Sequence, residues 1–192
     1  MQTNLKHNAS NESDECVINN KIFRKTISWQ AVKQRVAEIA KQINIDYQGR
    51  RPTFVIAMKG AMFFAVELLK EIEVDCIVEI ISAKSYGANM QSTPDNLTVQ
   101  CYDIEIKNKD IIIVEDIVDS GYTMRKILEI INNESPNSIA IATLIAKPEK
   151  FCVDIKIDYL GFSVSPEFIV GCGMDYYEFG RNLKGIYTLL QE

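Results

Sequence analysis

Residues 111–124 read IIIVEDIVDSGYTM, and this stretch decides how the rest of the chain is read. Its apolar start suits a strand buried on both faces of a parallel sheet. That strand delivers Glu115 and Asp116 to its carboxyl end, which is where open α/β sheets bind ligands. Asp119, Ser120, Gly121, Tyr122 and Thr123 then turn into a helix N-terminus. Exposed backbone N–H groups, the positive end of the helix dipole and the hydroxyls of Ser120 and Thr123 together suit a phosphate dianion, and Gly121 permits a close backbone approach. Carboxylates just before such a cradle would repel the anion. The conflict resolves if Glu115 and Asp116 meet sugar hydroxyls or a cation such as Mg²⁺, directly or through water. Asp119 is then free to handle a proton. The plain alternative is a strand, an Asp/Gly turn and a capped helix with no further role.

Working outward, Asp110 to Glu115 reads as a strand and Tyr122 to Ile131 as the helix after it. Ser28 can cap an amphipathic helix whose apolar positions Trp29, Val32, Val36, Ile39 and Ile43 recur at spacings of three and four. Thr53 to Met58 is a short apolar run after Pro52, and Gly60 breaks it into the helical pattern of residues 61–72. Further strands are expected at 74–83, 97–106 and 138–146, with shorter strand-like pieces at 158–162, 168–170 and 186–189. Alternating strands and helices argue an α/β fold: a mostly parallel open sheet flanked by helices, with a small C-terminal hood over about residues 158–192. Residues 1–16 are polar and predict a mobile tail, leaving a single domain over 17–192. The polar stretch SYGANMQSTPDN predicts a lid loop over about residues 85–98.

Composition narrows the chemistry. Of 192 residues, 47% are apolar, and 21 Lys+Arg against 26 Asp+Glu give a net charge of −5, so no bulk positive field draws the chain to nucleic acid or an anionic membrane. No apolar run approaches the roughly 20 residues of a membrane span, and the start has no signal-peptide core; the expected location is cytoplasmic. Five scattered cysteines show no C-x-x-C spacing, which fits idle thiols in a reducing compartment. The single histidine, His7, lies in the polar leader and leaves histidine-based catalysis without a base. The working groups must be carboxylates, lysines, arginines and backbone.

The run VEDIVDSGYTM resembles the phosphoribosyl-diphosphate signature of the phosphoribosyltransferases, and its Val-Glu-Asp-Ile form is similar to the 6-oxopurine branch, the hypoxanthine-guanine phosphoribosyltransferases. Four more segments carry the resemblance in order: Met58-Lys59-Gly60-Ala61 as the first active-site loop, Ser85-Tyr86-Gly87 as the start of the lid, LIAKPE at 144–149 as the purine-binding lysine segment, and GFSVSPEFIVGCGMDYYEFGRNL at 161–183 as the hood. Together they span about residues 20–190. The resemblance implies the type I phosphoribosyltransferase fold and a Mg²⁺-dependent salvage transferase. Such an enzyme converts hypoxanthine, and also guanine, with 5-phosphoribosyl 1-diphosphate into IMP or GMP and diphosphate.

Carried over residue by residue, the resemblance implies that Glu115 and Asp116 hold the ribose hydroxyls and help place Mg²⁺, and that Asp119 to Thr123 hold the 5-phosphate, with Asp119 the general base at purine N7. Lys59 and Gly60 would meet the diphosphate at a strained or cis peptide, and Arg181 would neutralise the same leaving group. Phe168 would stack on the purine with Ile169 beside it, and Lys147 would donate to the 6-oxo group. Asp175 would support Mg²⁺ through water near the purine 2-position, and Ser85 and Tyr86 would open the lid. A lysine can only donate, so it favours a 6-oxopurine over adenine. The partners are then small molecules rather than nucleic acid or membrane, and a homodimer or homotetramer is implied. Two departures stand in the hood: Cys172 lies between glycines where a tyrosine is usual, and Phe179-Gly180 precedes Arg181. A xanthine-preferring relative and a non-catalytic ligand-sensing regulator on the same fold are the alternatives.

Overall fold

The structure, a computed structural model, describes residues 14–85, 97–101 and 104–190. Its main body is a six-stranded sheet in the order β5-β4-β3-β6-β7-β8. These strands are β3 (Thr53–Met58), β4 (Ile77–Ser85), β5 (Leu97–Cys101), β6 (Asp110–Val118), β7 (Ser138–Ala146) and β8 (Tyr159–Ser163). All neighbours run parallel except β4 and β5. The helices are α1 (Trp29–Asp46), α2 (Met62–Lys70) and α3 (Tyr122–Asn133).

The apolar run of β6 does what its composition demands, since Ile111, Ile112, Ile113 and Val114 are fully buried. Successive side chains of a strand point to opposite faces. Ile112 and Val114 join one core cluster with Ile39 and Ile43 of α1 and Phe64 and Leu68 of α2, while Ile111 and Ile113 join the other with Ile127 and Ile131 of α3. Ser28 caps α1 as expected, its hydroxyl accepting from the Ala31 N–H at 3.2 Å.

A second, antiparallel sheet lies in the order β1-β2-β10-β9, formed by β1 (Glu15–Ile18), β2 (Lys21–Ser28), β9 (Ile169–Val170) and β10 (Gly185–Leu189). Among the described residues, the hood thus joins strands from the first and last parts of the sequence. The expected mobile tail of residues 1–16 gives way to strand at Glu15, and residues 1–13 lie outside the described residues. Strand β2 escaped sequence reading because KIFRKTIS has a single fully buried side chain, Phe23, and its partner strand lies near the other end of the chain. The hood is also shorter than expected at its start. Tyr159–Ser163 pairs parallel with β7 in the main sheet, anchored where the Asp158 carboxylate accepts the Ile141 N–H at 2.9 Å.

Phe23 forms a small core with Val170 and Tyr187. Phe23→Ala should lower unfolding free energy by about 3–5 kcal/mol, the usual range for a buried Phe truncation. Urea denaturation of the two proteins measures it.

Candidate active site

The carboxyl end of β6 carries the first pair of groups. Glu115 and Asp116 are 8% and 7% exposed, so two adjacent carboxylates sit almost entirely out of water. Burial pushes the Glu115 carboxyl well above its usual range, and the neighbouring Asp116 charge adds to the rise. Asp116 is raised by burial as well, with hydrogen bonding from Glu115, the Ile117 N–H and the nearby Arg181 charge acting in the other direction. The Asp116 Oδ1 accepts that N–H at 3.0 Å.

Beyond β6 the chain turns through Asp119 and Ser120 to Gly121, whose φ of 87° is left-handed and starts α3. A side chain here would be strained, and its Cβ would also fall 2.6 Å from Val153 Cγ2. The turn is tied to the loop after β7. The Lys147 N–H donates to the Val118 carbonyl, and the Cys152 N–H donates to the Ser120 carbonyl, each at 3.0 Å. These ties bring two lysines onto one carboxylate. Lys147 Nζ lies 3.1 Å from Asp119 Oδ2, and Lys150 Nζ lies 2.5 Å from Asp119 Oδ1. Lys147 is only 3% exposed, and burial lowers its pKa.

The third group comes from β3 and the hood. The Met58–Lys59 peptide is cis. Gly60 packs so closely on β6 that a Cβ there would land on the Asp116 carboxylate, and a Cβ on Gly173 would land on the Gly60 carbonyl. Arg181 closes the contact, with Nη1 donating to the Gly173 carbonyl at 2.8 Å and Nη2 lying 2.7 Å from Asp175 Oδ1. Phe168 is half-buried beside Tyr176, ring centroids 5.5 Å apart, and Phe23 lies 6.5 Å from it. Ile169 is buried in the main core. Cys172, the first departure, is buried at φ 48° between two left-handed glycines; burial raises its thiol to about 11, and Sγ donates to the Gly185 carbonyl at 3.5 Å.

Asp116, Gly60, Gly173, Arg181 and Asp175 are therefore joined in one contact network, and Asp119, Lys147 and the turn of residues 119–123 in another, both at the carboxyl end of the sheet. Ser85 ends β4, where its backbone pairs with Leu97. Tyr86 and most of the expected lid lie outside the described residues. Sequence reading missed Lys150, although it stands one helical turn after Lys147, and Phe23, hidden in the unassigned β2. It also missed Glu178, whose carboxylate reaches both Lys59 and Arg181.

The family description "Phosphoribosyl transferase domain" matches residues 27–177, most of the chain. The chain belongs to the phosphoribosyltransferase family. Among curated relatives it is 39% identical over 165 residues to a hypoxanthine phosphoribosyltransferase of Salmonella typhimurium, covering 84% of this chain and 93% of that protein. It is 33% identical over 173 residues to a hypoxanthine-guanine phosphoribosyltransferase of Aquifex aeolicus, covering 90% of this chain and 97% of that one. Among solved structures, a Bacillus anthracis hypoxanthine-guanine phosphoribosyltransferase superposes with a TM-score of 0.81 at 35% identity, covering 86% of this chain and 98% of the other. The mostly parallel sheet flanked by helices is the type I phosphoribosyltransferase fold, and the separate antiparallel sheet is its hood.

Donor chemistry decides which metal this phosphoribosyltransferase suits. Among the described residues no group of three or more His, Cys, Asp or Glu could hold a metal ion. The Glu115–Asp116 pair alone fits a hard cation such as Mg²⁺, which takes one or two carboxylates and completes its shell with water and phosphate oxygens. Asp175 is engaged elsewhere, since Arg181 holds Oδ1 and the Glu178 N–H donates to Oδ2 at 2.7 Å.

The same pair sets a pH dependence. Because both carboxyls are raised in the folded state, that state binds more protons than the unfolded chain at mildly acidic pH. Their contribution to stability is present below the ordinary carboxyl range and is lost as pH rises through the raised values. In metal-free buffer, Glu115→Gln should therefore raise the melting temperature at neutral pH and flatten its decline from acid to neutral. Thermal melts across pH 4–8 check this.

Proposed function

We propose that the chain transfers a 5-phosphoribosyl group from phosphoribosyl diphosphate to N9 of a 6-oxopurine, hypoxanthine and also guanine, releasing diphosphate and IMP or GMP in purine salvage. The observation that carries this reading is the Asp119–Lys147 pair at 3.1 Å. In a 6-oxopurine, N7 and O6 lie side by side on one edge of the ring system. A carboxylate that accepts the N7 proton beside a buried ammonium that donates to O6 matches that edge. Adenine offers an amino donor where Lys147 needs an acceptor.

The other roles follow. The N–H groups and hydroxyls of residues 119–123 bind the 5-phosphate, with the left-handed Gly121 shaping the turn that presents them. Glu115 and Asp116 accept from the ribose 2- and 3-hydroxyls. Lys59, the Gly60 backbone and Arg181 surround the diphosphate and stabilise the charge that develops on it as the anomeric carbon gains oxocarbenium character. Phe168 stacks on the purine with Ile169 behind it, and Asp175 holds Arg181 in place near the 2-position. Mg²⁺ held by Glu115 and Asp116, with Asp175 reaching it only through water, would neutralise phosphate oxygens of the donor. Ser85 and Tyr86 begin a lid that excludes water from the reacting carbon. Four free thiols among the described residues support a cytoplasmic location. A homodimer or homotetramer is part of the proposal and is read by sedimentation.

Turnover of hypoxanthine, guanine and xanthine with phosphoribosyl diphosphate and Mg²⁺ tests the reading. Hypoxanthine should lead, and Asp119→Ala should lower kcat by about 10²–10⁴-fold, the usual worth of a positioned general base. Xanthine in the lead would replace the base assignment, and turnover of none would sink the transferase reading. Lys147→Met should lower kcat/KM for hypoxanthine about ten- to a hundredfold, the loss expected for a charged hydrogen bond; steady-state kinetics with each base would show it.

A further inference from the structure

The segment between Asp175 and Arg181 is a tight turn with an uncommon backbone. Tyr176 and Phe179 exchange backbone hydrogen bonds at 2.9 and 3.2 Å, closing a two-residue turn. Its central residues, Tyr177 at φ 52° and Glu178 at φ 69°, are both left-handed. Hairpin turns of this geometry favour Asn-Gly, because a Cβ is disfavoured at either position. The strained turn has a definite outcome. The Glu178 N–H is fixed on Asp175 Oδ2 at 2.7 Å, and the Glu178 carboxylate projects between two cations, with Oε2 3.2 Å from Arg181 Nη2 and 3.5 Å from Lys59 Nζ.

Lys59 comes from the end of β3 and Arg181 from the hood, and Glu178 is the anion that joins them. Resting on the reading of these two side chains as the leaving-group site, we propose that Glu178 is an internal anion that holds the diphosphate seat in the empty enzyme and is displaced when diphosphate or phosphoribosyl diphosphate binds. Glu178 is 68% exposed, so its side chain is free to swing into solvent when a stronger anion arrives. The two cations are kept apart from bare mutual repulsion before binding. The returning carboxylate competes with diphosphate after reaction, which weakens product retention.

The test is calorimetric titration of the full-length protein with magnesium diphosphate. Glu178→Gln and Glu178→Ala should each bind it about three- to fivefold more tightly than the parent at low salt, the scale of an exposed ion pair. The advantage should shrink at about 1 M salt, where the Debye length falls to about 3 Å. Equal or weaker binding by either variant, with the parent binding diphosphate and turning over normally, overturns the role of Glu178 alone. No binding of diphosphate by the parent overturns that role together with the leaving-group site.

Discussion

Two carboxylates buried side by side at the end of the central strand are the constraint around which this protein is built. Removing one charge from water is unfavourable, and placing a second against it more so, unless partners or a cation compensate. Asp116 is partly compensated by the Ile117 N–H and by the charge of Arg181, whereas Glu115 is left with its proton affinity well raised. A surface that holds such a pair is poised for a ligand rich in hydroxyls or for a divalent ion. The fold tolerates the arrangement because the four residues before it, Ile111 to Val114, are wholly buried and keep β6 fixed at the centre of the sheet.

Close backbone approach is the second half of the design. The Gly60 turn, the Gly173 turn and the Asp116 side chain touch at positions where no Cβ would fit. Side chains on these segments are therefore placed by main-chain contact, which is stiffer than contact between long side chains. Arg181 inherits that stiffness through its hydrogen bond to the Gly173 carbonyl. Cys172 takes part by holding a left-handed conformation between two glycines while its thiol donates to the Gly185 carbonyl of β10, which ties the turn to the hood sheet.

What the sequence discloses follows the range of the interactions. The buried run of β6, the capped helix after Ser28 and the turn at Gly121 are each encoded within a short continuous stretch of chain, and the structure reproduces them to within a few positions. Asp119 stands out at the end of the buried strand, whereas Lys59, Lys147 and Arg181 come through motif resemblance and not through any local physical signal, because an isolated lysine or arginine looks like surface. Strand β2 and the role of Glu178 were invisible for a different reason. Phe23 has meaning only once β10 lies beside it, and Glu178 only once a turn with two left-handed residues aims it at a lysine more than a hundred positions away.

The order of strands in the hood has a bearing on how the molecule comes into being. Strand β10 lies between β2 and β9, and Thr26 reaches the Ile186 carbonyl across 160 positions of sequence. The mostly parallel sheet from β3 to β8 is complete in the emerging chain before β10 has been synthesised, so the larger body can condense first on contacts of shorter range. The N-terminal hairpin must wait with Phe23 uncovered until the last strand arrives. The pairings that complete the hood are thus among the longest in sequence, and a nascent or interrupted chain that lacks β10 lacks the strand that joins β2 to β9.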